Sequence, residues 1–147
     1  MSRAEPLRFR RLHPGAVLPS RAHDDDGGLD LHAVETVTLA PGTRVSVGTG
    51  LALAIPTGQA GLVLPRSGLA ARSGIALVNA PGLIDAGYRG ELRVLLLNTD
   101  RETPCEIAVG DRIAQLVLIR VELPAAIELE ELPETARGAD GFGSSGA

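Results

Sequence analysis

The sequence predicts an all-β domain, a sandwich or barrel of short strands, from three observations. Breakers such as Pro14-Gly15, Gly27-Gly28, Pro41-Gly42, Pro56, Pro65, Pro81-Gly82, Gly87, Pro104 and Gly110 punctuate the chain roughly every 8 to 12 residues. Between them lie short runs rich in Val, Leu and Ile. Only one short internal stretch, Ser67 to Ala71, reads as a helix.

Taken in order, Val45 and Val47 alternate with polar partners, and Leu51, Leu53 and Ile55 with small ones, which is the period of a half-buried strand. Leu62-Val63-Leu64, Ile75 to Val78, Leu92 to Leu97 and Ile113 to Val121 are the near-continuous apolar runs of buried strands. Ser67 is expected to cap the helix, its hydroxyl accepting from a free N–H of the first turn. Ala125 to Glu134 is an acidic, amphipathic connector, and Arg137 to Ala147 is nearly all Gly, Ser and Ala. That tail lacks apolar surface to offset the entropy of ordering. The expected division is a β domain over 1–136 and a flexible Gly-rich arm over 137–147.

Composition narrows the function. The chain of 147 residues has only three aromatics, Phe9, Tyr88 and Phe142, so its core must be built from Val, Leu, Ile and Ala. A net charge of -4 argues against nonspecific binding to nucleic acid. All 14 basic residues are Arg; without lysine, a Walker-type phosphate loop and Schiff-base catalysis are both excluded. Cys105 stands alone and no Cys/His cluster has zinc spacing. The Arg-rich stretch Met1 to Leu12 has no apolar core of a signal peptide, and no apolar run is long enough to span a membrane. The expected location is the cytoplasm.

Five segments combine glycine with charge in this otherwise apolar chain. In Asp26-Gly27-Gly28-Leu29-Asp30-Leu31-His32-Ala33, Asp30 is either a solvated turn carboxylate or a holder of metal-bound water. In Pro65-Arg66-Ser67-Gly68-Leu69-Ala70, a hydroxyl, helix-start N–H groups and an arginine can form an anion site or merely a capped helix; a nucleophilic serine lacks a histidine nearby in sequence. Val78 to Glu91 reads as a strand, a long tight hairpin and another strand, with Asp85 placed to activate water and Tyr88 to pack against a sugar or base. In Gly110-Asp111-Arg112-Ile113-Ala114-Gln115-Leu116-Val117, Gln115 either faces solvent or offers its amide to a ligand; Asp111 and Arg112 read as a turn or a structural ion pair. In Arg137-Gly138-Ala139-Asp140-Gly141-Phe142-Gly143-Ser144-Ser145-Gly146, an arginine and an aromatic on a glycine-rich arm suit a phosphate and a planar ring; composition alone reads as disorder.

All five segments, in this order, resemble the motifs of the trimeric dUTPase family, from Asp24 to Gly146. Gly82 to Glu91 and the tail from Arg137 to Gly146 are the most specific. The resemblance implies a jelly-roll fold, a homotrimer with sites at subunit interfaces, and Mg²⁺-assisted hydrolysis of dUTP to dUMP and pyrophosphate, which limits uracil in DNA and supplies dUMP for dTMP synthesis. It implies that Asp85 activates the attacking water, and that Tyr88 lies against deoxyribose. Asn79 and the backbone at Leu83 and Ile84 read uracil. Arg66, Ser67, Gly68 and Gln115 bind phosphates, Asp30 steadies Mg²⁺ through water, and Arg137, Phe142 and Gly143 close the site from a neighbour's arm. Arg93, two positions beyond Glu91, is a candidate phosphate or ribose contact. In the related dCTP deaminases, the position aligned with the deaminating carboxylate is Leu95 here, which cannot act as an acid or base. A nucleotide-switched regulatory dUTPase-like protein is the other alternative.

Overall fold

The computed structural model describes residues 5–141. Among them the strands are β1 (Arg8–Arg11), β2 (Leu29–His32), β3 (Val37–Leu39), β4 (Arg44–Gly48), β5 (Leu51–Ala54), β6 (Gln59–Leu64), β7 (Ile75–Leu77), β8 (Gly82–Ile84), β9 (Arg93–Asn98), β10 (Cys105–Ile107) and β11 (Arg112–Arg120). One helix, α1 (Ser67–Ser73), follows β6. Every pairing is antiparallel. The strands form a four-stranded sheet β2-β11-β6-β8, a three-stranded sheet β4-β9-β7, and the pairs β1-β5 and β10-β3. The fold is a jelly-roll sandwich rather than a closed barrel.

The core is aliphatic, as the lack of aromatics demands. Leu31, Leu39, Val47, Leu96, Ile113 and Leu116 are fully buried, and each contributes about 1.5–3 kcal/mol by leaving water. The register of β11 shifts by one residue between Arg112 and Ala114. This bulge buries both Ile113 and Ala114, where strict alternation would expose one of them.

Consecutive strands switch sheets at corners. β4 and β5 are separated by only Thr49 and Gly50, yet β4 pairs with β9 and β5 with β1. Gly50 makes the corner possible. Its φ is +66°, and a Cβ there would lie 2.8 Å from Cβ of His13. The buried Thr49 hydroxyl donates to the Leu92 carbonyl at 2.7 Å.

Two local expectations need correction. Residues 78–91 are not a tight hairpin. β7 does pair with β9, but the connection between them crosses to the other sheet, where β8 pairs with β6. Ser67 does not cap α1. Arg66 holds the cap position with extended backbone, and no side chain caps the helix. Ser67 is already helical, and a capping side chain must come from a residue outside the helix. The connector over 121–141 forms no strand or helix.

Asn98 is the one long polar side chain fully buried among the described residues. Its amide donates to the carbonyls of Leu39 (3.1 Å) and Thr103 (2.9 Å) and accepts from the Asp100 N–H (3.0 Å), joining β9 to β3 and the turn before β10. Asn98→Ala should lower stability by about 2 kcal/mol or more, because it strands these buried partners. Urea unfolding should show this as a lower midpoint.

Candidate active site

Two clefts collect the residues singled out in the sequence. The first, of about 300 Å³, is lined by Asp26, Gly27, Gly28, Asp30, Arg66, Ser67, Gly68 and Gln115 together with Ala22. Strand register builds it. On β11, Gln115 stands between Asp30 of β2 and Leu64 of β6. β6 then delivers Pro65, Arg66 and the start of α1. Three of the five segments therefore meet here.

Asp30 organises the charge. One carboxylate oxygen lies 3.2 Å from Arg66 Nε and the other 3.5 Å from an Arg112 nitrogen. Asp30 thus holds two guanidiniums at this corner, and Asp26 adds a second acid to the cleft lining. The Gln115 amide nitrogen donates to the Pro65 carbonyl at 3.0 Å, which leaves its second N–H for the cleft. Gly28 makes room for that amide, since a Cβ there would sit 2.5 Å from the Gln115 oxygen. At the start of α1, the N–H groups of the first turn have no intrahelical partner. Two residues beyond Asp30, His32 has a buried Nδ1 with no hydrogen-bond partner. Burial holds the imidazole pKa below its ordinary value; Asp30 opposes this, while Arg112 and Arg66 add to it.

The second cleft, of about 250 Å³, is lined by Leu83, Ile84, Asp85, Tyr88, Glu91 and Arg93. A short turn after β8 carries Asp85, with the Tyr88 N–H donating to the Asp85 carbonyl at 3.0 Å. The Arg89 guanidinium donates to the carbonyls of Ala86 (2.7 Å) and Tyr88 (2.8 Å) and braces the turn. The Asn79 amide lies near Gly82, 3.3 Å from where a Cβ would stand, at the entry to β8.

Arg93 is largely committed to the protein. Its guanidinium donates to Ser46 Oγ (2.9 Å), the Ser46 carbonyl (2.9 Å), Glu91 (2.9 Å) and Glu35 (3.0 Å). Glu35 in turn accepts from the Gly48 N–H at 2.6 Å, and Glu91 from the Gly50 N–H at 3.0 Å. Sequence reasoning missed Glu35 and the bracing by Arg89. No local pattern marks Glu35, because its partner Arg93 stands 58 residues away.

Arg137 is exposed, and its Nε donates to the Asp140 carbonyl at 2.9 Å. It joins neither cleft. Phe142 and Gly143 lie outside the described residues. No group of three or more His, Cys, Asp or Glu among the described residues can hold a metal ion. No described helix is long and apolar enough to cross a membrane.

A family model described as dUTPase matches residues 15–146. The chain is 58% identical over 146 residues to a deoxyuridine 5′-triphosphate nucleotidohydrolase of Nocardia farcinica, covering 99% of this chain and 88% of the relative. It is 57% identical to one from Mycobacterium leprae, covering 95% and 94%. Among solved structures, the dUTPase of Staphylococcus bacteriophage 80alpha with dUpNHpp superposes with a TM-score of 0.91 at 30% identity, covering 98% of this chain and 100% of that one. A mutant dUTPase from phage phi11 of S. aureus, described as showing how a structural Mg(II) ion is coordinated, superposes with a TM-score of 0.81 at 29% identity, covering 86% and 98%.

The Glu35 network has a pH signature. The hydrogen bond from the Gly48 N–H, aided by Arg93, holds the Glu35 pKa below its ordinary value. Its stabilisation is therefore complete above the unfolded-chain value near 4.5 and is lost as pH falls through the lower folded value. Glu35→Gln should be less stable than the parent at neutral pH. The gap should close in acid, as read by denaturant midpoints across pH.

Proposed function

The chain belongs to the dUTPase family and hydrolyses dUTP, and from that premise we propose how its residues divide the work. Asp85 takes a proton from a water molecule as the water oxygen attacks the α-phosphorus in line. The bond to the bridging oxygen breaks, and dUMP and pyrophosphate leave. Asn79 and the backbone at Leu83 and Ile84 read uracil, and Tyr88 lies against the deoxyribose. Arg66, Ser67, Gly68 and Gln115 hold the phosphates, and Arg93, through Glu91, fixes the wall of the base pocket. Arg137, with Phe142 and Gly143, comes from an arm over 137–147 that closes on the nucleotide. The enzyme works in the cytoplasm.

The residues of the first cleft fit Mg²⁺ that arrives with the triphosphate rather than a resident ion. Both oxygens of Asp30 face arginines, so a hydrated ion carried by phosphates is the form this carboxylate can steady through water. When bound, Mg²⁺ withdraws charge from the phosphates and makes phosphorus more electrophilic.

The observation that carries the reading is the register along β6. Ile84 pairs with Gly61, so Asp85 stands level with Ala60, while Arg66 lies six residues further along the chain. At about 3.3 Å per residue the two are separated by roughly 20 Å along the sheet. The two clefts share no lining residue, with Asp85 at one and Arg66 at the other. One chain thus supplies two incomplete half-sites, and a closed ring of three copies can join the Asp85 half of one subunit to the Arg66 half of the next. The connector supports such an assembly: Leu123, Ile127 and Leu132 are 73%, 78% and 82% exposed, an apolar surface that a neighbour can cover.

Deamination is disfavoured because Leu95, half-buried on β9, carries no acid. The 80alpha structures are described in terms of phage dUTPases controlling transfer of virulence genes by a G protein-like mechanism. A switching role beside catalysis remains compatible with this chain.

Asp85→Asn should keep the fold and nucleotide binding while pyrophosphate release falls by about 10²- to 10⁴-fold; near-parental turnover overturns the assignment. Asp85→Asn and Arg66→Ala subunits, each nearly inactive alone, should regain activity when unfolded and refolded together, because mixed trimers contain sites with both halves intact. No recovery, with mixed trimers present by mass spectrometry, would show that each chain builds its own site.

A further inference from the structure

Gly90 adjoins the proposed site without a role so far. Glycine is often required by a left-handed backbone, but Gly90 is not among the residues with positive φ. The requirement here is spatial. A Cβ at Gly90 would meet the Tyr88 hydroxyl and lie 2.6 Å from Cζ and 3.0 Å from Cε2 of the same ring. The ring rests directly on the Gly90 backbone. Its hydroxyl turns back and donates to the Glu91 carbonyl at 2.9 Å, while Arg89 ties down the preceding turn. Tyr88 is thus seated on its own loop, although it is 44% exposed and lines the Asp85 cleft.

We propose that Gly90 is a positioning residue for sugar selectivity: its missing side chain seats the Tyr88 ring at the height that admits deoxyribose and excludes a 2′-hydroxyl. The inference rests on the reading of Tyr88 as the sugar wall. A methyl group at position 90 displaces the ring by roughly 1 Å to restore van der Waals contact and breaks the bond to Glu91. Since the ring is already partly exposed, rotation toward solvent is the open route, and it removes the wall. A wall that discriminates by one oxygen atom depends on such sub-ångström seating.

The test compares kcat/KM for dUTP and UTP in four proteins: the parent, Gly90→Ala, Tyr88→Ala and the double variant. Gly90→Ala should lower the dUTP-to-UTP ratio about tenfold or more, with KM for dUTP rising more than kcat falls. Tyr88→Ala should lower the ratio as well, and the double variant should match Tyr88→Ala, because without the ring there is nothing for the methyl to displace. An unchanged ratio in Tyr88→Ala refutes the sugar-wall reading itself. A lowered ratio in Tyr88→Ala with an unchanged one in Gly90→Ala refutes only the role of Gly90, as does a further drop in the double variant. If Gly90→Ala fails to fold, a folded double variant with the Tyr88→Ala ratio still supports the clash. Failure of both to fold overturns it.

Discussion

The clamp formed by Glu35, Glu91 and Arg93 on the corner between β4 and β5 is the contact on which the rest of the molecule depends. The chain changes sheets there within two residues. Such a corner leaves backbone N–H groups outside any ladder, and they need other partners. Glu35 accepts from Gly48 and Glu91 from Gly50, and Arg93 neutralises both acids while also binding Ser46. The Gly48 backbone must come close, since a Cβ there would sit 2.7 Å from Glu91 and 2.9 Å from Arg93. Leu92 completes the joint, accepting from Thr49 and donating to the Leu51 carbonyl at 2.7 Å. Because Glu91 and Arg93 also line the Asp85 cleft, the interaction that turns the corner fixes one wall of the site.

The cleft assigned to the phosphates is built on a different logic. Its parts come from β2, β11 and the loop after β6, and sheet register brings them together. Asp30 holds Arg66 and Arg112 side by side, so the positive charge is positioned before any ligand arrives. This lowers the cost of ordering flexible arginines on binding.

Much of this was legible in the sequence, for identifiable reasons. The strands at Val45–Val47, Leu92–Leu97 and Ile113–Val121 were readable because burial on one or both faces leaves a strong apolar pattern. β1, with the sequence Arg-Phe-Arg-Arg, was not readable, because it lies at an exposed edge and buries little. The crossing at residues 78–91 was misread as a hairpin because turn residues report where the chain bends and not which sheet receives it. Ser67 was misread as a cap because cap and first helical position differ by one residue, a shift that composition cannot resolve. Within the site, Asp30, Arg66, Ser67, Gly68 and Gln115 were found as separate motifs, and the structure brings them together. The partners that hold them, Glu35 and Arg89 above all, act through contacts distant in sequence or made to backbone carbonyls, and neither leaves a pattern.

The separation of Asp85 from Arg66 along β6 gives the architecture its physical sense. A sandwich core is rigid, so residues carried beyond opposite ends of the paired strands β6 and β8 cannot be drawn together by local motion. The proposed site between copies needs no such motion, because each subunit would present one finished half to a neighbour. In the proposed assembly activity depends on association, and the exposed apolar residues of the connector offer it a hydrophobic drive. The seating of Tyr88 on Gly90 follows the same economy of motion. In the proposed site selectivity rests on a ring held by its own loop, so the half-site assigned to the sugar is complete before the half assigned to the phosphates is brought to it.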